Sequence, residues 1–168
     1  MASSQFFKEG KYFYKNPQAI KSRGEQIDYL KDLIEDYGID YLEDPLDEDD
    51  FEGFAKLVDF AENKCLIVGD DLTVTNFSRV KKAIAMKAVT GVIIKPNQTG
   101  SLVEVKEVVD LCKKNKIKTI MSHRSGETMD NTLADLAVGF GCDYMKIPVV
   151  GRERLVKVKR LKHIAREF

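Results

Sequence analysis

Five side chains with catalytic potential recur along this sequence at nearly regular intervals. They are Glu43, Asp70, Lys95, His123 and Lys146, and each stands at or near the end of a short apolar or β-branched run. Successive members lie about 25 residues apart, which accommodates one strand and the helix that crosses to the next parallel strand. Two acids, two lysines and a histidine in such a series are residue types that bind a metal ion and move a proton.

These residue types indicate a specific chemistry. Glu43 and Asp70 carry hard oxygen ligands that suit Mg²⁺. A lysine in partly desolvated surroundings near a metal ion, as expected for Lys95, can act as a general base. Arg124 and Ser125, in a loop that we predict to enter a helix, suit a phosphate group. The set therefore predicts proton abstraction next to a carboxylate, with a metal ion holding the enolate-like intermediate.

The elements that would position these residues are short strands alternating with helical segments. The apolar runs occupy residues 39–44, 65–71, 90–96, 117–123 and 144–150. Their nearly continuous apolar character is typical of parallel strands covered on both faces. Parallel strands place all their carboxyl ends on one edge of the sheet, which in a barrel is the rim where active sites lie. The five chemically useful residues should therefore face one mouth.

One of these strand ends, "TIMSHRSGET" (119–128), also has a plainer interpretation. Taken alone, it could be a strand followed by a polar turn that caps a helix. Five polar strand ends in series are harder to explain by capping, so a shared rim is favoured. Ser122 and His123 would then belong to the site together with Arg124 and Ser125.

Composition narrows the class of protein. The chain has 168 residues, a formal net charge of zero and three widely spaced cysteines. A chain of this length is expected to form one domain. The odd number and wide spacing of the cysteines indicate reduced thiols. No apolar run approaches the length of a membrane span, so we expect a cytoplasmic protein. The basic segment 151–168 lacks interleaved aromatic residues, so we expect a solvated helix and no binding to nucleic acid. In that helix Leu155, Val158, Leu161 and Ala165 are the predicted buried stripe, and His163 the predicted surface residue.

Four stretches resemble the barrel-domain motifs of the enolase (phosphopyruvate hydratase) family. They are "LEDPLDEDDFEGF", "IVGDDLTVTN", "IIKPNQTGSLVE" and "SHRSGETMDNTLADLAVG", in that family's order and spacing. Shorter likenesses at "SSQFFKEGKY" and "GRERLVKVKRL" extend the resemblance to almost the whole chain. It implies an incomplete TIM-type (β/α) barrel of about five parallel strands with outer helices, with residues 1–168 forming a single C-terminal barrel segment.

The resemblance also implies roles for individual residues. Glu43 and Asp70 would be Mg²⁺ ligands, and Lys95 would take the C2 proton of 2-phosphoglycerate. His123 would line the substrate pocket, and Lys146 would face the substrate carboxylate. The remaining implied contacts, to the phosphate, come from Ser122, Arg124 and Ser125. The implied product is phosphoenolpyruvate, and the catalytic set is Lys95, His123 and Lys146.

Several parts of the family's site have no counterpart in these motifs. The family's third metal carboxylate would lie just before "ASSQFF", its general-acid glutamate and serine loop earlier still. We therefore expect weak or absent turnover by this chain alone, and either a homo-oligomer or a complementary enolase N-terminal chain as partner. One alternative is a non-catalytic half-barrel that binds phosphorylated acids or a protein. Another is a superfamily member with a different carboxylate substrate, which the Arg124–Ser125 cluster disfavours.

Overall fold

The computed structural model describes residues 2–167, in which a short 3₁₀ helix (Ser3–Phe6) leads into a small antiparallel sheet. Its strands are β1 (Phe7–Lys8), β2 (Lys11–Lys15) and β3 (Gln18–Ser22). This sheet was not predicted from the sequence. Aromatic residues pack against this sheet, and Tyr12 is fully buried between the rings of Phe6 and Phe7. Phe13 instead points outward, with 39% of its surface exposed.

A second sheet contains the strands predicted from the apolar runs. These strands are β4 (Tyr41–Glu43), β5 (Leu66–Gly69), β6 (Gly91–Ile94), β7 (Lys118–Ser122) and β8 (Tyr144–Lys146). All four neighbouring pairs are parallel, and their spatial order follows the chain. The prediction of five parallel strands is confirmed, and the sheet curls into part of an α/β barrel, which closes with eight strands in the complete TIM fold.

Helices occupy the connections between these strands and the segments flanking them. They are α1 (Arg23–Tyr37), α2 (Phe51–Ala61), α3 (Phe77–Ala85), α4 (Leu102–Lys114), α5 (Thr132–Gly139) and α6 (Arg152–Ile164). Local sequence sets several of their starts. Ser22 and Glu25 form a reciprocal capping box at α1, and the Asp50 carboxylate accepts the Gly53 N–H at the start of α2.

Most of the core lies between the parallel sheet and its helices. On β6 every residue is buried, with Val92 and Ile94 in the large cluster beneath the helices. Ile93 points the other way, into a small cluster with Val68 and Ile120 on the inner side of the curl. The expectation that both faces of every strand are covered is wrong at the edge strand β8, where Tyr144 is 51% exposed.

Helix α6 does not bury the predicted stripe. Leu155 and Ala165 are exposed, Val158 and Leu161 are half-buried, and the buried positions of the helix are Lys157 and Ile164. The buried face of the helix therefore differs from the predicted one. It includes a lysine, a residue type that apolar periodicity assigns to the solvent-facing side. The prediction that His163 lies at the surface is confirmed, and its ring is 3.1 Å from the Glu167 carboxylate. Within residues 2–167 we find no helix with both the length and the apolar character needed to cross a bilayer.

Candidate active site

The carboxyl ends of the parallel strands bring the predicted acids and lysines into direct contact. The Lys95 Nζ lies 2.6 Å from both carboxylate oxygens of Asp70, one residue beyond the ends of β6 and β5 respectively. The Lys146 Nζ lies 2.5 Å from the Glu43 Oε1, and these are the last residues of β8 and β4. Each predicted metal ligand is thus paired with a predicted lysine.

The pairing of Lys146 with Glu43 also reports the shape of the sheet. β4 and β8 are its two outermost strands. In a flat sheet they would be about 19 Å apart, from four spacings of roughly 4.8 Å, beyond the joint reach of a lysine and a glutamate. Contact at 2.5 Å therefore requires a strong curl at the carboxyl ends, as in the rim of a barrel.

Three carboxylates converge at this rim. Oxygen atoms of Glu43, Asp44 and Asp70 lie within 4.8 Å of one another, and Asp44 and Asp70 are 4% and 7% exposed. Buried, clustered carboxylate oxygens are the donor set that a hard cation such as Mg²⁺ prefers, so the residues fit the ion. Asp44, which follows Glu43 directly in the sequence, was not among the predicted metal ligands.

Asp44 differs from the other two acids in its partners. Its Oδ1 accepts the backbone N–H of Asp70 and its Oδ2 accepts that of Asp71, both at 2.9 Å. Its own N–H donates to the Val68 carbonyl at 3.0 Å, and its φ of 42° lies in the left-handed region. Asp44 therefore clamps the end of β5 beside that of β4 through its two carboxylate oxygens.

Burial and hydrogen bonding act in opposite directions on these acids. Burial raises the pKa of Asp44 to about 6, although the two backbone N–H groups oppose the change. Burial also raises the pKa of Asp70, against the effect of the Lys95 ammonium. For Glu43, burial is outweighed by hydrogen bonds from Lys146 and Tyr41, which hold its pKa below the usual range.

Two residues that sequence reasoning missed position the predicted ones. The Tyr41 hydroxyl donates to the Glu43 Oε2 at 2.7 Å, because residues two apart on a strand share a face. The Thr75 hydroxyl accepts the Lys95 backbone N–H at 2.9 Å and donates to Gln98 at 2.8 Å. Period-two spacing from Glu43 could have indicated Tyr41. Thr75 lies 20 residues from Lys95, so no local pattern points to it.

The segment after β7 carries the predicted phosphate residues. Ser122 is buried at the strand end, and its hydroxyl donates to the His123 carbonyl at 3.0 Å. The His123 backbone N–H donates to the Lys146 carbonyl at 3.2 Å, and burial lowers the pKa of the imidazole. Arg124 and Ser125 are exposed, with the guanidinium 3.0 Å from the Asn97 side-chain oxygen.

The loop after β7 leads into a helix as predicted, but the helix starts well beyond Arg124 and Ser125. Helix α5 begins at Thr132, and its flanking residue Asn131 makes no side-chain capping bond. Arg124 and Ser125 therefore lie in an irregular loop and not at a helix N-terminus. The plainer interpretation of this stretch as a helix-capping turn is wrong as well.

The curled parallel sheet and its rim of carboxylates and lysines define an α/β-barrel protein with a candidate active site at the carboxyl ends of its strands. All of residues 1–168 match the family model described as "Enolase, C-terminal TIM barrel domain". The chain therefore belongs to the enolase family.

Curated relatives named enolase support this assignment. The protein from Methanocorpusculum labreanum is 48% identical over 95% of this chain and 40% of its own length. Those from Methanosphaera stadtmanae and Methanothermobacter thermautotrophicus are 45% and 43% identical, each over 100% of this chain and 41% of their own. The chain thus spans about two fifths of the length of these relatives.

Proposed function

We propose that this chain supplies the C-terminal part of an enolase-type active site that dehydrates 2-phosphoglycerate to phosphoenolpyruvate. The observation that carries the proposal is the convergence of Asp70 with Lys95 and of Glu43 with Lys146 at one rim, in a member of this family. These are the residue types that proton abstraction next to a carboxylate requires. Because the match covers two fifths of the relatives, we propose that the rest of the site comes from a further part of the barrel.

Glu43 and Asp70 would hold Mg²⁺ in this site. The ion, when bound, would neutralise negative charge that develops on the substrate carboxylate after proton loss. Each carboxylate now contacts a lysine ammonium, so both already lie in a position where a cation is stabilised. Asp44 would contribute indirectly, because its two oxygens hold the backbone that carries Asp70.

Lys95 is the proposed base. Lys95 would act in its neutral amine form, which leaves the contact with Asp70 and takes the C2 proton of the substrate onto its Nζ. The electron pair left on C2 is delocalised into the carboxylate, towards which the Lys146 ammonium would point. Loss of hydroxide from C3 requires a proton, and we propose that the donor comes from the complementary part of the barrel.

The loop after β7 would bind the phosphate. Arg124 offers a planar guanidinium that matches phosphate geometry, and Ser125 offers a hydroxyl and a backbone N–H. Ser122 and His123 lie at the end of β7, so they would contact the same phosphate group from the side nearer the sheet. This set favours a phosphorylated acid over a plain carboxylate as substrate.

A non-catalytic half-barrel is the second candidate, and one observation favours it. The inner face of the sheet carries a partly open cavity of about 370 Å³ lined by Tyr41, Leu66, Ile120, Tyr144 and Met145 among others. An apolar face of this kind favours association, with a second copy or with a complementary chain. Such a protein would bind phosphorylated acids or a partner without turnover.

Reconstitution separates the two candidates. The chain would be mixed with the part of the Methanocorpusculum labreanum enolase that lies outside the match, and phosphoenolpyruvate formation followed with Mg²⁺ present. We expect no product from the chain alone, product from the mixture, and none with Lys95→Ala. A stable complex of the two parts that forms no product would overturn the catalytic proposal.

A further inference from the structure

Lys157 is an unusual member of the core. It lies in the middle of α6, and its side chain is 1% exposed. An ammonium group leaves water at a large cost unless hydrogen-bond acceptors and an opposite charge replace the solvent. The hydrogen-bond acceptors around Lys157 therefore show which parts of the chain the buried ammonium connects.

Its Nζ contacts three oxygen atoms, which matches its three N–H donors. The nearest is Glu127 Oε2 at 2.5 Å, and the others are the carbonyls of Thr128 at 2.7 Å and Glu153 at 2.8 Å. Glu153 is one turn away on the same helix. Glu127 and Thr128 belong to the loop after β7, about 30 residues earlier in the chain.

Glu127 also contacts the backbone of a proposed phosphate-binding residue. Its second oxygen, Oε1, accepts the backbone N–H of Arg124 at 2.9 Å. Burial would raise the pKa of Glu127, but hydrogen bonds from Lys157 and Arg124 outweigh burial and hold this pKa below its usual range. The carboxylate is thus charged, and it connects the ammonium of α6 to the backbone of Arg124.

The loop has few other supports. Arg124, Ser125, Gly126 and Thr128 are exposed, so apolar packing contributes little to their conformation. A second contact from α6 reaches the Ser125 carbonyl, which is 3.4 Å from a guanidinium nitrogen of Arg154. Beneath the loop is a cavity of about 240 Å³, which Lys157 and Glu127 help to line.

We infer that Lys157 is a positioning residue whose buried ammonium, acting through Glu127, fixes the backbone of Arg124 and Ser125 in the conformation that binds phosphate. The phosphate part of this inference rests on the proposed function. The tether itself rests only on the contacts between α6 and the loop.

The test compares substitutions in the full chain. Lys157→Met keeps the length of the apolar stem and removes the charge, while Lys159→Met removes an exposed charge from the same helix as a matched control. Affinity for phosphoenolpyruvate and for inorganic phosphate would be measured by NMR titration. We expect affinity to fall about tenfold or more in Lys157→Met, because a smaller fraction of the molecules then holds the loop in the binding conformation, and to be unchanged in Lys159→Met.

Two further measurements separate positioning from general stability. Hydrogen exchange at the Arg124 amide should accelerate in Lys157→Met while the amides of the central strand β6 stay protected. The double substitution Lys157→Met with Glu127→Met leaves no unpaired buried charge, so it should recover stability without recovering affinity.

The outcomes keep the two proposals apart. Absence of binding of either anion to the unmodified chain would contradict the proposed phosphate site, whereas an Arg124 amide protected only when Lys157 is present would still support the tether. A Lys157→Met protein that binds both anions as tightly as the unmodified chain, or exchanges the Arg124 amide equally slowly, would overturn the inference.

Discussion

The two sides of the candidate site are held in place by different means. On the acidic side, Asp44 hydrogen-bonds the backbone at the end of the adjacent strand, and Asp70 is buried against Lys95. On the loop side, Arg124 is exposed, and its backbone is held through Glu127 by Lys157 from a distant helix. The acidic side is therefore fixed by the sheet that carries it, whereas the loop side depends on the docking of α6.

The largest effect on stability is expected at Asp70. Asp70→Ala removes the carboxylate from the Lys95 side chain, which is only 14% exposed, and breaking a buried pair costs about 3 kcal/mol of unfolding free energy. Urea denaturation of the metal-free protein would measure it. Adding Lys95→Met should recover most of the loss, and a single variant as stable as the parent would show that the acidic side is not held by this pair.

Asp44→Asn should have the next largest effect. An amide group in place of one carboxylate oxygen presents N–H donors to a backbone N–H, so one of the two 2.9 Å bonds is lost. We expect a loss of about 2 kcal/mol in the same measurement, the magnitude of a hydrogen bond to a charged group. Asp71→Asn changes a neighbouring charge without touching the clamp, and an equal loss there would contradict the role given to Asp44.

Asp143 gives strand β7, which leads into the loop, a pH-dependent support at its amino end. Its carboxylate accepts hydrogen bonds from Lys118 at 2.7 Å and from the Thr119 backbone at 2.9 Å, linking the start of β7 to the residue before β8. Burial would raise the pKa of Asp143, but these hydrogen bonds outweigh it and lower the pKa below 3.8.

A lowered folded-state pKa means that the contribution is present above the unfolded value of 3.8 and is lost as pH falls through the lower folded value. Because the Asp143 side chain is 27% exposed, solvent screening limits the effect to about 1 kcal/mol. Denaturation from pH 6 downward should show a smaller decline in Asp143→Asn than in the parent. An identical decline in both proteins would rule out this contribution.

Arg124→Ala should affect stability least and binding most. An exposed side chain of this kind changes the free energy of unfolding by less than about 0.5 kcal/mol. Loss of a charge-assisted phosphate contact should weaken phosphoenolpyruvate binding by roughly tenfold or more. Calorimetric titration beside Arg152→Ala, an exposed arginine on α6, would check that the effect is specific to the loop.

The parallel half of the molecule could be predicted because its signals are local and repeated. Apolar runs of nearly constant spacing gave β4 to β8, and parallel geometry then placed Glu43, Asp70, Lys95 and Lys146 on one edge. The small antiparallel sheet was missed because β1 has only two residues and the exposed side chains of β3 give no clear alternation of apolar and polar positions.

Other features depend on contacts between distant parts of the chain. Hydropathy assigns a lysine to solvent. Lys157 can lie on the buried face of α6 because the Glu127 carboxylate and the Thr128 carbonyl accept hydrogen bonds from its ammonium. Asp44 becomes a clamp only through a left-handed backbone that brings the N–H groups of Asp70 and Asp71 to its oxygens. Neither arrangement has a signature within a few residues of sequence.

The aromatic cluster near the amino end offers a position for a fluorescent reporter next to the loop that follows Glu43 and Asp44. The chain contains no tryptophan, and Phe6 packs against the rings of Tyr12 and Tyr14 at centroid distances of 6.0 and 5.0 Å. The Tyr12 hydroxyl in turn accepts the backbone N–H of Asp47, in the loop that follows Glu43 and Asp44. A tryptophan introduced at this position by Phe6→Trp would be the single indole emitter of the chain, and its fluorescence would record rearrangements of that loop as ligands arrive.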